Sequence, residues 1–351
     1  MVRPKVRKSI FRLEGYVPGK SREYVRKKYG IERVIKLSSN ENPYGASRKA
    51  IEALGEFKDL HVYPPMQPDD LIERISDYLG IESTRIVVGA GIDGLLEATF
   101  NIFLDKGDTV SLAPPTFPYY SILANIYDAR INRLERNRDF QIKGSAKAKV
   151  TVICSPNNPT GNLERREIVK TIVEESNSLV FLDEAYAEFA SENLLDFSEC
   201  ENVVIARTFS KAFGLASLRI GYAIVPEWVK KEYLKVLTPF PVSTPAIKAA
   251  IAALDDLDHT LKAIEKIKKE RERVYENLAK LGVNVLPSEA NFLFMRTHPN
   301  FCDEMMERGV IIRDCSMFDG CSEGDVRVSI GKKEENDYFL EKTAEVLQVL
   351  K

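Results

Sequence analysis

No stretch of the 351-residue chain approaches the ~18 consecutive apolar residues that a membrane helix requires, so a membrane span is not expected. Cysteine is scarce and unpatterned. The five cysteines (154, 200, 302, 315, 321) are odd in number and contain no CxxC pair, which argues against a disulfide framework or zinc scaffold. A reduced, cytoplasmic protein without a metal site is the expectation. Histidine is rarer still, with three (61, 259, 298), none at a position that suggests catalysis. No internal repeat or low-complexity segment is present. Neither charge sign dominates: Lys+Arg 50 against Asp+Glu 52 leaves a formal net charge of −2. With hydrophobic residues at 44%, Gly 19 and Pro 17, the chain is neither disordered nor collagenous. Its length favours two domains, because single cores stop growing at roughly 250–300 residues.

Near-neutrality hides a local imbalance. Residues 1–36 hold twelve Lys/Arg and three Glu, a surplus of nine, so the remaining 315 residues sum to −11. Such an arm suits a nucleic-acid tail, a targeting segment or a solvated strap beside an anion site. Its start has no apolar core of the targeting kind, and 36 residues are too few for a nucleic-acid-binding module.

From about residue 85 to 225, short β-rich runs alternate with helical patterns. The runs are IVVG (86–89), DTVSLA (108–113), ARINRL (129–134), KVTVIC (149–154), LVFLDE (179–184), NVVIAR (202–207) and LRIGYAIV (218–225). Nearly continuous Val/Ile/Leu in the central runs predicts a mostly parallel sheet covered on both faces, an α/β architecture. A long helical stretch opens at Pro245 and closes at Lys280-Leu281-Gly282. Beyond it VNVL (283–286), NFLFM (291–295), VIIR (310–313) and DVRVSI (325–330) read as strands of a smaller α+β domain, followed by a helix from about Glu334. The expected division is an N-terminal arm (1–29), a large domain (30–245) and a small domain (246–351).

Gly89-Ala90-Gly91-Ile92-Asp93-Gly94 fits GxGxxG between a strand and a helix, the context of a dinucleotide-binding turn. The next strand should then end in an acid, but it ends Ala113-Pro114-Pro115. The turn reads as a phosphate cradle, but not for NAD.

The following strand ends carry pointed chemistry. KVTVIC runs into Ser155-Pro156-Asn157-Asn158-Pro159-Thr160-Gly161. LVFLDE delivers Asp183 and, three residues on, Tyr186; NVVIAR runs into Thr208-Phe209-Ser210-Lys211, with Arg219 following. A buried Asp demands a cationic partner. A desolvated Lys can serve as a Schiff-base nucleophile. Each residue alone has an ordinary structural reading; their joint occurrence at successive strand ends does not.

SPNNPTG (155–161), FLDEAYAEF (181–189) and RTFSKAFGLASLRIGYAI (207–224) resemble the fold-type I aminotransferases that use pyridoxal phosphate. GYVPGK (15–20), NENPYG (40–45), VYPP (62–65), PPTFPYY (114–120), FPVSTPA (240–246), GVIIRD (309–314) and VRVSIG (326–331) narrow the resemblance to the histidinol-phosphate aminotransferases, over nearly the whole chain. One departure is Ser217, where the family commonly reads GLAGLR.

The resemblance implies a large cofactor domain, a smaller C-terminal domain and pyridoxal 5′-phosphate as cofactor. It implies that Lys211 forms the Schiff base and moves the proton, that Asp183 keeps the pyridine nitrogen protonated, and that Tyr186 and Asn158 hold the ring 3′-oxygen. Phe117 would stack on the ring. Ser210, Arg219, Thr208 and the backbone at Gly91 and Ile92 would hold the cofactor phosphate, joined by Tyr63 from a neighbouring subunit in a homodimer. Arg327 would grip the glutamate and 2-oxoglutarate carboxylate, with Arg313, Tyr16 and Asn42 around the substrate. An aromatic amino-acid aminotransferase or a threonine-phosphate decarboxylase on the same scaffold stays open at this point, with an NAD-dependent oxidoreductase as a remote alternative. Neither nucleic acid nor membrane is an expected partner.

Overall fold

The computed structural model describes residues 4–11, 13–145 and 147–350; Arg3 and Arg12 of the basic arm lie outside them. After the short strand β1 (Ile35–Lys36), seven strands build the large sheet: β2 (Ile86–Gly89), β3 (Thr109–Leu112), β4 (Arg130–Arg133), β5 (Val150–Cys154), β6 (Leu179–Asp183), β7 (Val203–Thr208) and β8 (Gly221–Ile224). Their order is β2-β8-β7-β6-β5-β3-β4. Only β8 runs antiparallel to its neighbours in this sheet.

The continuous apolar runs are explained by burial on both faces. In β7, Val203 and Ile205 enter one core while Val204 and Ala206 enter the other; in β6, Val180 and Leu182 part from Leu179 and Phe181 in the same way. Side chains alternate across a strand, so a strand covered on both sides is apolar along most of its length, and a charge within it, such as the buried Arg207 of β7, is paired, here with Glu184. The fold is thus the α/β arrangement expected, a mixed sheet between helical layers.

Five further strands follow: β9 (Asn284–Val285), β10 (Phe292–Arg296), β11 (Val310–Ile311), β12 (Arg313–Asp314) and β13 (Asp325–Ser329). Four form an antiparallel sheet in the order β12-β13-β10-β9, and β11 pairs in parallel with β1. The chain around residues 35–37 therefore joins the C-terminal layer: Ser329 N–H also donates to Leu37 O at 2.8 Å.

Two elements differ from the sequence reading. The long stretch from Pro245 is two helices, Thr244–Leu254 and Leu257–Lys280, interrupted at Asp255-Asp256. Short acidic side chains favour helix ends over interiors, and the two helices pack on different partners. The run VIIR divides at Ile312, because Val310–Ile311 pairs with β1 whereas Arg313–Asp314 pairs with β13.

Candidate active site

The carboxyl ends of β2, β5, β6 and β7 lie along one edge of the large sheet, where antiparallel β8 begins. Register places Cys154 beside Asp183, Asp183 beside Ala206, and Gly221 beside both Thr208 and Gly89. Gly221 is required here: a Cβ would stand 2.7 Å from Arg207 O and 3.1 Å from Gly91 Cα. That absence of a side chain lets the helix Gly91–Phe103 start directly against the strand.

A cleft of about 180 Å³ opens above this edge, between the large sheet and β13. Lys211, Asp183, Tyr186, Asn158 and Phe117 line it, as do Ser210, Arg219, Ile92 and Thr208 at the glycine turn and Arg327, Arg313 and Tyr16 on the other side. Gly91 sits at its edge with φ 73°, and a Cβ there would lie 3.3 Å from Arg219 Nη2. Two residues named by the resemblance lie outside this cleft, as Tyr63 would if it reaches a neighbouring subunit's site. Asn42 donates from Nδ2 to Ala212 O at 2.8 Å and faces an adjoining groove. Tyr63 is 78% exposed and stacks on Phe240 at 4.7 Å.

At one end of the cleft the helix Gly91–Phe103 starts without a side-chain cap, so its first N–H groups are available to an anion. Arg219, held in the left-handed region at φ 50°, donates to Ser210 Oγ at 3.3 Å and pairs with Asp93 at 3.1 Å. At the other end Arg313 and Arg327 face each other across β12 and β13. Arg327 is buried. Its Nη1 donates to Asn158 Oδ1 at 2.5 Å and its Nη2 to Ser38 O at 2.7 Å, while Nε has no partner. Arg313 donates to Val17 O at 2.8 Å and lies over the Tyr16 ring. Among the described residues neither arginine meets a carboxylate, so this end is built for an anion.

The floor carries the two titratable groups that matter most. Burial and the nearby Arg327 lower the Lys211 amine from 10.5 to about 8. Its Nζ donates to Ser39 O at 3.2 Å. Burial raises the Asp183 carboxyl to about 6, against the pull of hydrogen bonds from Tyr120 Oη at 2.5 Å and Ala185 N–H at 2.9 Å. Burial also pushes the Tyr186 phenol well above its ordinary range.

Sequence reasoning missed several residues of this cleft. Tyr120 lies one turn after Phe117 and reaches Asp183, a spacing visible in PPTFPYY. Asp93 sits inside the glycine motif itself. Asn40 opens NENPYG and donates to Tyr186 Oη at 2.9 Å, a contact across 146 residues that has no local signature.

Residues 32–342 match the family model for aminotransferase class I and II. The chain is 51% identical over 322 residues to histidinol-phosphate aminotransferase 1 of Archaeoglobus fulgidus, covering 90% of this chain and 99% of that protein. It is 41% identical over 348 residues to the histidinol-phosphate aminotransferase of Methanosarcina mazei, covering 95% and 94%. In three dimensions it superposes on the Sinorhizobium meliloti histidinol-phosphate aminotransferase, solved in complex with pyridoxal-5′-phosphate, with TM-score 0.87, 24% identity and coverage of 100% and 99%. With the lysine, the aspartate and the paired arginines gathered in one cleft, these likenesses show that the chain belongs to the histidinol-phosphate aminotransferase family, within the class I and II aminotransferases.

Proposed function

We propose that this protein is a pyridoxal 5′-phosphate-dependent aminotransferase of histidine biosynthesis. It interconverts L-histidinol phosphate and 2-oxoglutarate with imidazole-acetol phosphate and L-glutamate, by a ping-pong mechanism. The observation that carries the reading is the cleft itself: Lys211 and Asp183 on its floor, an uncapped helix N-terminus beside Arg219 at one end, and an unneutralised arginine pair at the other.

The residues fit the cofactor. The space beside Gly91 that a Cβ would fill, the Ser210 hydroxyl, the Arg219 guanidinium and the free helix amides suit its phosphate. Thr208 Oγ1 accepts from Ser210 N–H at 3.0 Å and so shapes that turn. When bound, the cofactor supplies an aldehyde that captures amines and a ring that draws electrons from the reacting carbon.

Each step of proton handling falls to the chain. With its pKa near 8, about a tenth of the Lys211 amine is neutral at pH 7, enough to attack a carbonyl and to take the proton from the amine-bearing carbon of the substrate. Asp183, ionised at neutral pH, would hold a proton on the pyridine nitrogen of the bound cofactor. Tyr186 and Asn158 would serve the ring 3′-oxygen, and Phe117 would cover the ring face. The oxygen of Asn158 is occupied by Arg327, which leaves its Nδ2 to face the cleft.

One arginine pair can serve both half-reactions, since a guanidinium fork accepts a carboxylate or a phosphate. Glutamate presents a carboxylate and histidinol phosphate its phosphate. Tyr16 packs edge-on to Phe117 at 6.0 Å under Arg313, so the basic arm forms part of the wall that excludes water.

The active unit is a homodimer. Leu60, Val62, Tyr63, Met66 and Phe240 form an exposed apolar group that a second copy would cover, bringing Tyr63 to the partner's cofactor phosphate. A cytoplasmic location is the reading that the few, unpatterned cysteines favour; separately, among the described residues no helix is long and apolar enough to cross a membrane. The substrate assignment is tested by comparing kcat/KM for histidinol phosphate, phenylalanine and threonine phosphate. Histidinol phosphate should lead by at least about tenfold, the weight of roughly one charged hydrogen bond. A preference for phenylalanine would refute the assignment.

A further inference from the structure

Tyr186 lies on the cleft floor, but what directs its hydroxyl hydrogen comes from the opposite domain. The backbone N–H of Asn40, which can only donate, does so to Ser329 Oγ at 2.8 Å. A hydroxyl has one hydrogen, and that of Ser329 is directed to Asn40 Oδ1 at 2.9 Å. The amide of Asn40 is thereby fixed, with Nδ2 facing Tyr186 Oη at 2.9 Å. At that contact the Tyr186 oxygen accepts, so its own hydrogen is left for the cleft.

The relay is rigidly held. Asn40 and Ser329 are both buried. Asn40 adopts φ 54°, a left-handed conformation that asparagine tolerates better than most residues, and its carbonyl accepts from Asn291 Nδ2 at 3.0 Å. Ser329 shares a face of β13 with Arg327, two residues before it. We propose that Ser329, acting through Asn40, is a positioning residue that fixes the Tyr186 hydroxyl as a hydrogen-bond donor into the cofactor cleft. A small-domain strand thereby sets the polarity of a large-domain cofactor contact.

This positioning role rests on the cleft's being a pyridoxal phosphate site, as proposed for the function. A donor on the cofactor's 3′-oxygen draws off negative charge that would otherwise hold the neighbouring chromophore proton. Losing that donor should move the chromophore titration to higher pH. The other charged or titratable groups facing Tyr186 are Arg327 on β13, Asp183 on β6, Cys154 on β5 and Lys211, whose Nζ lies 5.7 Å from the ring centre. Those facing Lys211 are Arg327, Glu41, Asp93, Arg219 and Asp183. Replacing Ser329 leaves all of them in place and changes no charge.

The test is a pH titration of visible absorbance in the holoenzyme, for wild type, Ser329→Ala, Ser329→Thr, Tyr186→Phe and the Ser329→Ala/Tyr186→Phe double variant. Thermal unfolding of each apo-protein accompanies it. Ser329→Ala should raise the titration midpoint by about one pH unit, the size expected when a charged group loses one hydrogen bond. Ser329→Thr, which keeps the hydroxyl, should restore the wild-type midpoint, and the double variant should match Tyr186→Phe alone. An unshifted Ser329→Ala, or an equal further shift in the Tyr186→Phe background, would overturn the relay while leaving the cofactor reading intact. A wild type that takes up no pyridoxal phosphate would overturn both.

Discussion

Asp183, proposed to serve the cofactor, should weaken the fold when no cofactor is bound. Its carboxyl titrates near 6 in the folded chain against an ordinary 3.8, because burial opposes the charge more than Tyr120 and Ala185 support it. The native state therefore binds more protons than the unfolded chain between about pH 4 and 6, so stability falls as pH rises through that window. A carboxyl held about 2 pH units above its ordinary value costs about 3 kcal/mol at pH 7, and roughly half of that at pH 5. Asp183→Asn removes the buried charge and keeps an acceptor for Tyr120, but it can leave the Ala185 N–H without one, a loss of about 1 kcal/mol. The net expectation is an apo-protein about 2 kcal/mol more stable at pH 7. Spread over the unfolding entropy of 351 residues, that is a rise in Tm of about 3 °C. The gain should shrink toward zero near pH 4. The assay is thermal unfolding of apo wild type and variant from pH 4 to 7.5, paired with turnover of the reconstituted enzymes. Turnover should fall by about 10³-fold, since the ring loses the charge that keeps its nitrogen protonated. A variant no more stable than wild type at pH 7, or one with a pH-independent gain, would refute the reasoning.

Three further outcomes are expected. Lys211→Ala should lose the visible cofactor absorption and about 10⁴-fold in turnover, because the buried amine on the cleft floor is gone. Apo-protein should capture pyridoxal phosphate faster as pH rises and level off above about 8 instead of near 10.5, the lowered lysine pKa being the cause; stopped-flow absorbance measures it. Arg327→Leu should lower kcat/KM by about 10²-fold or more for both glutamate and histidinol phosphate, since it removes a buried guanidinium that also anchors Asn158. Loss confined to one half-reaction would mean that the two anions use separate sites.

Legibility in the sequence follows physical range. Strands such as VTVIC and VVIAR are readable because an element covered on both faces is predominantly apolar on both, with few polar residues such as Thr151 and Arg207 among them. Lys211, Asp183, Asn158 and Arg219 are readable because they stand in motifs shared by the family: Asp183 closes β6, Lys211 and Asn158 follow the ends of β7 and β5 within four residues, and Arg219 stands two residues before β8. The break at Asp255-Asp256 is not: helical periodicity continues across it, and only the change of packing partner explains the turn. Tyr120 stands inside a family motif, yet nothing local says that its hydroxyl meets a carboxylate 63 residues away.

The basic first tenth of the chain shows the same division. Its composition indicates an anion somewhere near, and the structure puts Tyr16 and Gly19 of that arm at the cleft mouth beside Arg313. By itself the sequence determined the sheet, the strand ends and which functional groups stand on them, because these follow from periodicity and short-range spacing. Only the tertiary structure decided which groups meet. It set Arg327 against Asn158 across 169 residues and Ser329 against Asn40 across 289. Hydrogen bonds of about 3 Å between distant segments leave no periodic trace in either segment, so their partners and direction emerge only when those segments pack.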